Sequence, residues 1–127
     1  MKILLVEPRT PDTFWSLRHA LRFIGRRAAN PPLGLLTLAG LLPRDWSLRL
    51  VDQNTDKLAD EDIAWADYVM VSAMVIHREE VAKLGKRCRA LDTPLIGGGP
   101  LFRAESEESL GVDHVVVGET EELAEQL

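Results

Sequence analysis

Five short apolar runs, each closed by a proline, glycine or polar turn and separated from the next by a stretch of different character, govern what this chain can become. They are Lys2 to Val6, Ser47 to Asp52, Asp67 to Ser72, Thr93 to Ile96 and His114 to Val117. Most are apolar throughout, as expected of strands buried on both faces; Ser47 to Asp52 alternates before it stops at Gln53-Asn54-Thr55. Strands that alternate with helices imply right-handed crossovers and a parallel sheet covered on both sides. The expected fold is therefore α/β, a flavodoxin-like three-layer sandwich with a five-stranded parallel sheet in order 2-1-3-4-5. Val6, Val51, Val71, Ile96 and Val116 are expected in its core.

The intervening segments support this reading. Asn30-Pro31-Pro32 supplies an N-cap candidate followed by prolines, and Leu33, Leu36, Leu38, Ala39, Leu41 and Leu42 crowd most of the helix that follows. Gly34 and Gly40 are read as allowing close packing, and Pro43 as helping to end the helix. His77, Val81, Leu84, Cys88 and Leu91 recur at helical spacing, opposite Arg78, Glu79, Lys83, Lys86, Arg87 and Arg89. Shorter helices are expected from Asp60, around Ala104 to Leu110, and from Glu121. The connection from Pro8 to Asn30, with room for a short helix over Phe14 to Ile24, is long enough to be functional or mobile, and is expected to be the most mobile internal segment.

A length of 127 residues suits one domain, 1–127, with an ordinary core. A net charge of −5 argues against a nucleic-acid partner, and the cluster Arg18, Arg22, Arg26 and Arg27 reads as a solvated face, the alternative being a surface for an anionic ligand tail or a neighbouring domain. No apolar run approaches the ~20 residues of a membrane span. The opening strand carries no cleavage site, so no membrane partner and a cytoplasmic location are expected. The single cysteine, Cys88, excludes an internal disulfide and a multi-cysteine cluster site in this chain, and its place on an apolar stripe marks it as a core thiol.

In open parallel sheets ligands bind beyond the carboxyl ends of the strands. The loops there reject several common tenants. A dinucleotide site needs Gly-x-Gly-x-x-Gly after the first strand, where Glu7-Pro8-Arg9-Thr10 stands. The one Gly-Lys pair, Gly85-Lys86, lies within a helix and makes no P-loop. A phosphoacceptor domain is expected to carry Asp after strand three and Lys after strand five, where Ser72 and Gly118 are found. A flavodoxin-type flavin site stays open, although the hydroxyl- and glycine-rich phosphate loop it favours after strand one is missing. What does stand out is Gly97-Gly98-Gly99 at the end of strand four. It removes every side chain from the site edge, where a turn alone needs only one glycine. Gly118 offers a second bare loop beside it, and the two describe a shallow trough.

An ordered set of motifs runs through the chain: Lys2-Ile3-Leu4-Leu5-Val6, Asn30-Pro31-Pro32-Leu33-Gly34, Leu50-Val51-Asp52-Gln53-Asn54, Trp65 to Met74, Ile96-Gly97-Gly98-Gly99-Pro100, and Val116-Val117-Gly118-Glu119. In this set the chain resembles the N-terminal cobalamin-binding domains of cobalamin-dependent radical S-adenosylmethionine enzymes. The resemblance implies that cobalamin lies across the carboxyl end of the sheet with its nucleotide tail between sheet and helices. The implied cofactor-binding residues are Leu33, Gly34, Ser72, Ala73, Met74, Gly97, Gly98, Gly99, Pro100, Gly118 and Glu119. It assigns no catalytic residue and no protein metal ligand. A corrin is a broad, largely apolar disc with amide arms, which suits a glycine-edged floor beside a hydroxyl such as that of Ser72.

Two departures matter. The Asp-x-His-x-x-Gly motif, whose histidine ligates cobalt in other cobalamin proteins, is absent, and His19, His77 and His114 each read as structural. The resemblance further implies a radical S-adenosylmethionine domain with a [4Fe–4S] cluster, whose cysteines this chain does not have. Because the last helix has barely begun at Leu127, that Fe–S oxidoreductase domain is expected to follow as the C-terminal partner. The module itself is not catalytic alone, and would serve methyl transfer or rearrangement and cyclisation. The alternative is a flavodoxin-like interaction domain that binds no corrin.

Overall fold

The computed structural model describes residues 1–10, 33–99, 101–104 and 110–116. The expected helix over Phe14 to Ile24, the arginine cluster, the cap at Asn30, the mobility expected of the first connection beyond Thr10, and the last helix lie outside the described residues.

Five strands form the sheet: β1 (Lys2–Glu7), β2 (Ser47–Asp52), β3 (Tyr68–Ser72), β4 (Leu95–Gly98) and β5 (His114–Val116). Their order is β2-β1-β3-β4-β5, and every pairing is parallel. Helix α1 (Leu33–Leu41) follows β1, α2 (Asp60–Trp65) follows β2, α3 (Arg78–Ala90) follows β3, and α4 (Leu101–Ala104) follows β4. The expected α/β fold and strand order are the observed ones.

Strand alternation divides the core into two. Leu4, Val6, Val69, Val71 and Leu95 face a layer built from Ile63 of α2, Val81, Leu84 and Cys88 of α3, and Leu101 with Phe102 of α4. Ile3, Leu5, Met70 and Ile96 face Leu35, Leu38 and Leu42 of α1 and its exit. The inner strand β1, between β2 and β3, is thus buried on both faces, which is why its sequence does not alternate. Cys88 is a buried free thiol, as its stripe predicted.

Several expectations are corrected. Val51 and Val116 are half-buried, not fully enclosed, because β2 and β5 are the sheet's edges and each lacks a neighbour on one side. The alternation of β2 is also incomplete, since Leu48 and Leu50 are exposed. Gly40 is exposed, and nothing lies within 4 Å of where its Cβ would stand, so it provides no close packing. The stretch Leu101–Ala104 is helical, and residues 105–109 of the helix expected around Ala104 to Leu110 lie outside the described residues. Finally, His77 does not ride on the stripe of α3. It closes a 3-10 turn, Val75–His77, ahead of that helix.

Outside the core, Arg87 on α3 grips the start of α2. Its Nε and Nη2 donate to Asp60 Oδ1 at 3.0 and 2.8 Å, and Nη2 also donates to the Leu58 carbonyl at 2.6 Å. Such forked charge-assisted bonding is geometrically specific, and it holds the β2–α2 connection against the sheet.

Candidate functional site

At the carboxyl ends of the strands the three glycines have three different environments. A Cβ on Gly97 would run into the Phe102 ring, which lies across this residue on the α3 side. Gly99 has φ of +99°, and its Cβ would stand 2.7 Å from the Ala73 carbonyl oxygen. That closeness belongs to a tight corner, in which Ala73 N–H donates to Gly98 O at 3.0 Å and Leu101 N–H donates to Ala73 O at 3.1 Å. Packing and turn geometry therefore account for Gly97 and Gly99. Gly98 is different: it has no positive φ, and the nearest atom to its Cβ position is Val116 O at 3.9 Å. Among the described residues no neighbour requires glycine there, and the position is open floor.

Alternation places Gly98 on the α1 face, one step beyond Ile96. Its register partner in β3 is Ser72, and its partner in β5 is Val116. Glu7 continues the Ile3, Leu5 series on the same face of β1. The sheet thus ends in a row of Glu7, Ser72, Gly98 and Val116: a carboxyl, a hydroxyl, a bare backbone and an apolar side chain. Ala73 packs into the opposite core, whereas Met74 is 54% exposed and begins an apolar rim continued by Val75 and Ile76. Leu33 and Gly34 open the described part of α1, the helix whose Leu35 and Leu38 pack on that face of the sheet. Pro100, Gly118 and Glu119 lie outside the described residues.

Glu7 was not singled out by its sequence context, which reads as a strand end. Burial, followed by the charge of its register neighbour Asp52, raises its pKa from 4.5 to about 7. Near neutrality its carboxyl is therefore poised to donate as well as accept. Folded Glu7 keeps its proton up to about pH 7 while the unfolded chain releases it near 4.5, so this group lowers stability progressively as pH rises between those values. Full charging would cost about 3 kcal/mol; solvent reaching a half-buried carboxyl reduces this to about 1–2 kcal/mol. Glu7→Gln should raise stability by about that amount at pH 8 and leave it unchanged at pH 4, as read by denaturant melts at both. An equal gain at both pH values would refute the assignment.

Two recesses border the sheet. An apolar one of about 270 Å³ runs along the α1 face from the amino ends of the strands, lined by Met1, Ile3, Trp46, Tyr68, Met70, Ile96, His114 and Val116. A polar one of about 480 Å³ lies beyond β1 and β2, against Arg9, Asn54, Lys57 and Glu80. Gln53 lines it, and its Oε1 is buried with no hydrogen-bond partner among the described residues.

Fold and edge together define a parallel α/β domain of flavodoxin-like topology whose open row lies at the strand ends. Residues 25–127 match the family model of the B12 binding domain, and the chain belongs to that family. It is 35% identical over 123 residues to an uncharacterized methyltransferase of Synechocystis sp., covering 95% of this chain and 23% of that protein. It is 37% identical over 127 residues to the hopanoid C-2 methylase of Rhodopseudomonas palustris, covering 99% of this chain and 24% of that protein. The chain thus spans about a quarter of the length of these curated relatives. Among the described residues, no helix is long and apolar enough to cross a membrane.

Proposed function

We propose that this domain carries cobalamin for a methyl-transferring enzyme, holding the corrin over the row Glu7, Ser72, Gly98 and Val116. The observation that carries the reading is Gly98: an unstrained glycine at a strand end, which no turn or core contact among the described residues requires, inside a B12 binding domain. A flat ring needs that missing side chain to approach the backbone. Its amide arms need hydrogen-bond partners, which the Ser72 hydroxyl and the Glu7 carboxyl supply. The apolar recess beneath the sheet supports a nucleotide tail entering between sheet and helices. Leu33, Gly34, Ala73, Met74, Gly97, Gly99, Pro100, Gly118 and Glu119 complete the proposed contacts.

Bound cobalamin supplies a cobalt–carbon bond through which a methyl group is carried. The chain's own part is to bind and orient it. The methyltransferase and methylase names of the relatives support methyl transfer as the parent reaction. The [4Fe–4S] cluster and S-adenosylmethionine chemistry belong to the radical domain proposed as this module's partner, since one buried cysteine cannot hold such a cluster.

Titration of the protein with hydroxocobalamin, followed by visible absorbance and gel filtration, tests the reading. Saturable uptake of one cofactor per chain that co-elutes with the protein is expected. Absence of uptake by folded protein would leave a flavodoxin-like interaction domain as the better description.

A further inference from the structure

His77 is 4% exposed and is used by none of the proposed ring contacts. Both of its ring nitrogens are engaged. Met74 N–H donates to Nδ1 at 3.0 Å, and Nε2 stands 3.2 Å from Thr10 Oγ1. A nitrogen that accepts a main-chain proton carries none itself, so the single proton of the neutral ring is on Nε2 and is donated to the Thr10 hydroxyl. Burial lowers the pKa of this imidazole, with Glu80 opposing, which keeps the neutral form in place.

The connections continue beyond the ring. Thr10 N–H donates to Asn54 Oδ1 at 2.8 Å. Asn54 Nδ2 donates to the Pro8 carbonyl at 3.3 Å and to Asp52 Oδ1 at 2.9 Å. One hydrogen-bonded chain therefore joins the ends of β1, β2 and β3. On the β3 side the held segment is Met74, Val75 and Ile76, exposed by 54%, 47% and 49%. Successive large apolar side chains turned to solvent usually mark a contact surface. A single 3-10 turn has little intrinsic stability. This one is closed by His77 N–H donating to Met74 O at 2.9 Å and by the imidazole bond back to the Met74 N–H.

We infer that His77 is a positioning residue: its imidazole bolts the ends of β1, β2 and β3 together and holds Met74, Val75 and Ile76 as an apolar rim against the flat corrin, without itself reaching the cobalt. This rests on the cobalamin reading above. With both ring nitrogens committed inside the protein, none is left to bind a metal.

The test uses the full chain, hydroxocobalamin and three variants. His77→Ala removes both side-chain bonds and should weaken cofactor binding roughly tenfold or more, the scale of a lost buried hydrogen bond. It should also speed amide exchange at Met74, while the visible spectrum of the bound cofactor stays that of the wild type. His77→Asn keeps an acceptor near the place of Nδ1 and should restore protection at Met74 with part of the affinity. Thr10→Val leaves the ring and the Met74 bond in place and should cause a smaller loss; these two variants carry the test if His77→Ala does not fold. Wild-type affinity in all three, or a spectral change on removing His77 that reports loss of an imidazole ligand, would overturn the inference. Should the wild type take up no cobalamin, the functional reading fails separately. Exchange at Met74 in the ligand-free variants then still judges the latch: acceleration supports it and unchanged rates refute it.

Discussion

Replacing Gly98 with leucine should weaken cobalamin binding by roughly a hundredfold, the scale of a ring displaced from a fitted site, while moving the melting temperature by no more than about 3 °C. The two effects separate because of where the side chain would go. Among the described residues no atom lies closer than 3.9 Å to the Cβ position, and the backbone is not in the left-handed region, so the described fold meets neither clash nor strain. The same open space is the proposed floor of the corrin, and a leucine would fill it. Displacing the ring by about 1 Å loses dispersion contacts over its whole area, because the attraction falls steeply with separation. Cobalamin titration and a thermal melt on one variant suffice. Unchanged affinity would show that the ring does not lie on Gly98.

Gly99→Ala should have the opposite profile, with a large loss of stability. At φ of +99° an alanine is strained, and its Cβ would meet the Ala73 carbonyl oxygen at 2.7 Å. Because that atom is backbone, tied into the corner by the Leu101 N–H, it has little freedom to retreat. Strain and clash together should cost about 3 kcal/mol, or roughly 10 °C in melting temperature for a domain of this size. A melt within about 2 °C of the wild type would show that the corner relaxes cheaply. Adjacent glycines would thus report separately on binding and on folding.

Much of this was legible from residue order. The buried inner strand β1, the parallel order and the helix spanning Val81, Leu84 and Cys88 follow from periodicity, because burial on two faces and burial on one stripe leave different patterns. The glycine run was visible too, but not its division of labour. Which glycine faces a phenyl ring, which turns a corner and which lies open depends on Phe102 and Ala73, contacts made only when β3, β4 and α4 come together. His77 was placed on a helix stripe because its spacing fits one. It belongs instead to a turn, where a hydrogen bond to Thr10, 67 positions away in the chain, outweighs local periodicity. Glu7 reads in the sequence as a strand terminus, and its raised pKa comes first from burial at the sheet's end and then from Asp52, its partner across the sheet.

By itself, then, the sequence determined the α/β class, the strand order and the kinship to B12 binding domains, since these rest on hydrophobic period and motif order along one chain. Only the tertiary structure decided that Glu7, Ser72, Gly98 and Val116 share one row and that His77 ties three strand ends together. The physical reason is that burial pattern is written locally, whereas proximity across a parallel sheet is set by crossovers that bring distant segments into register.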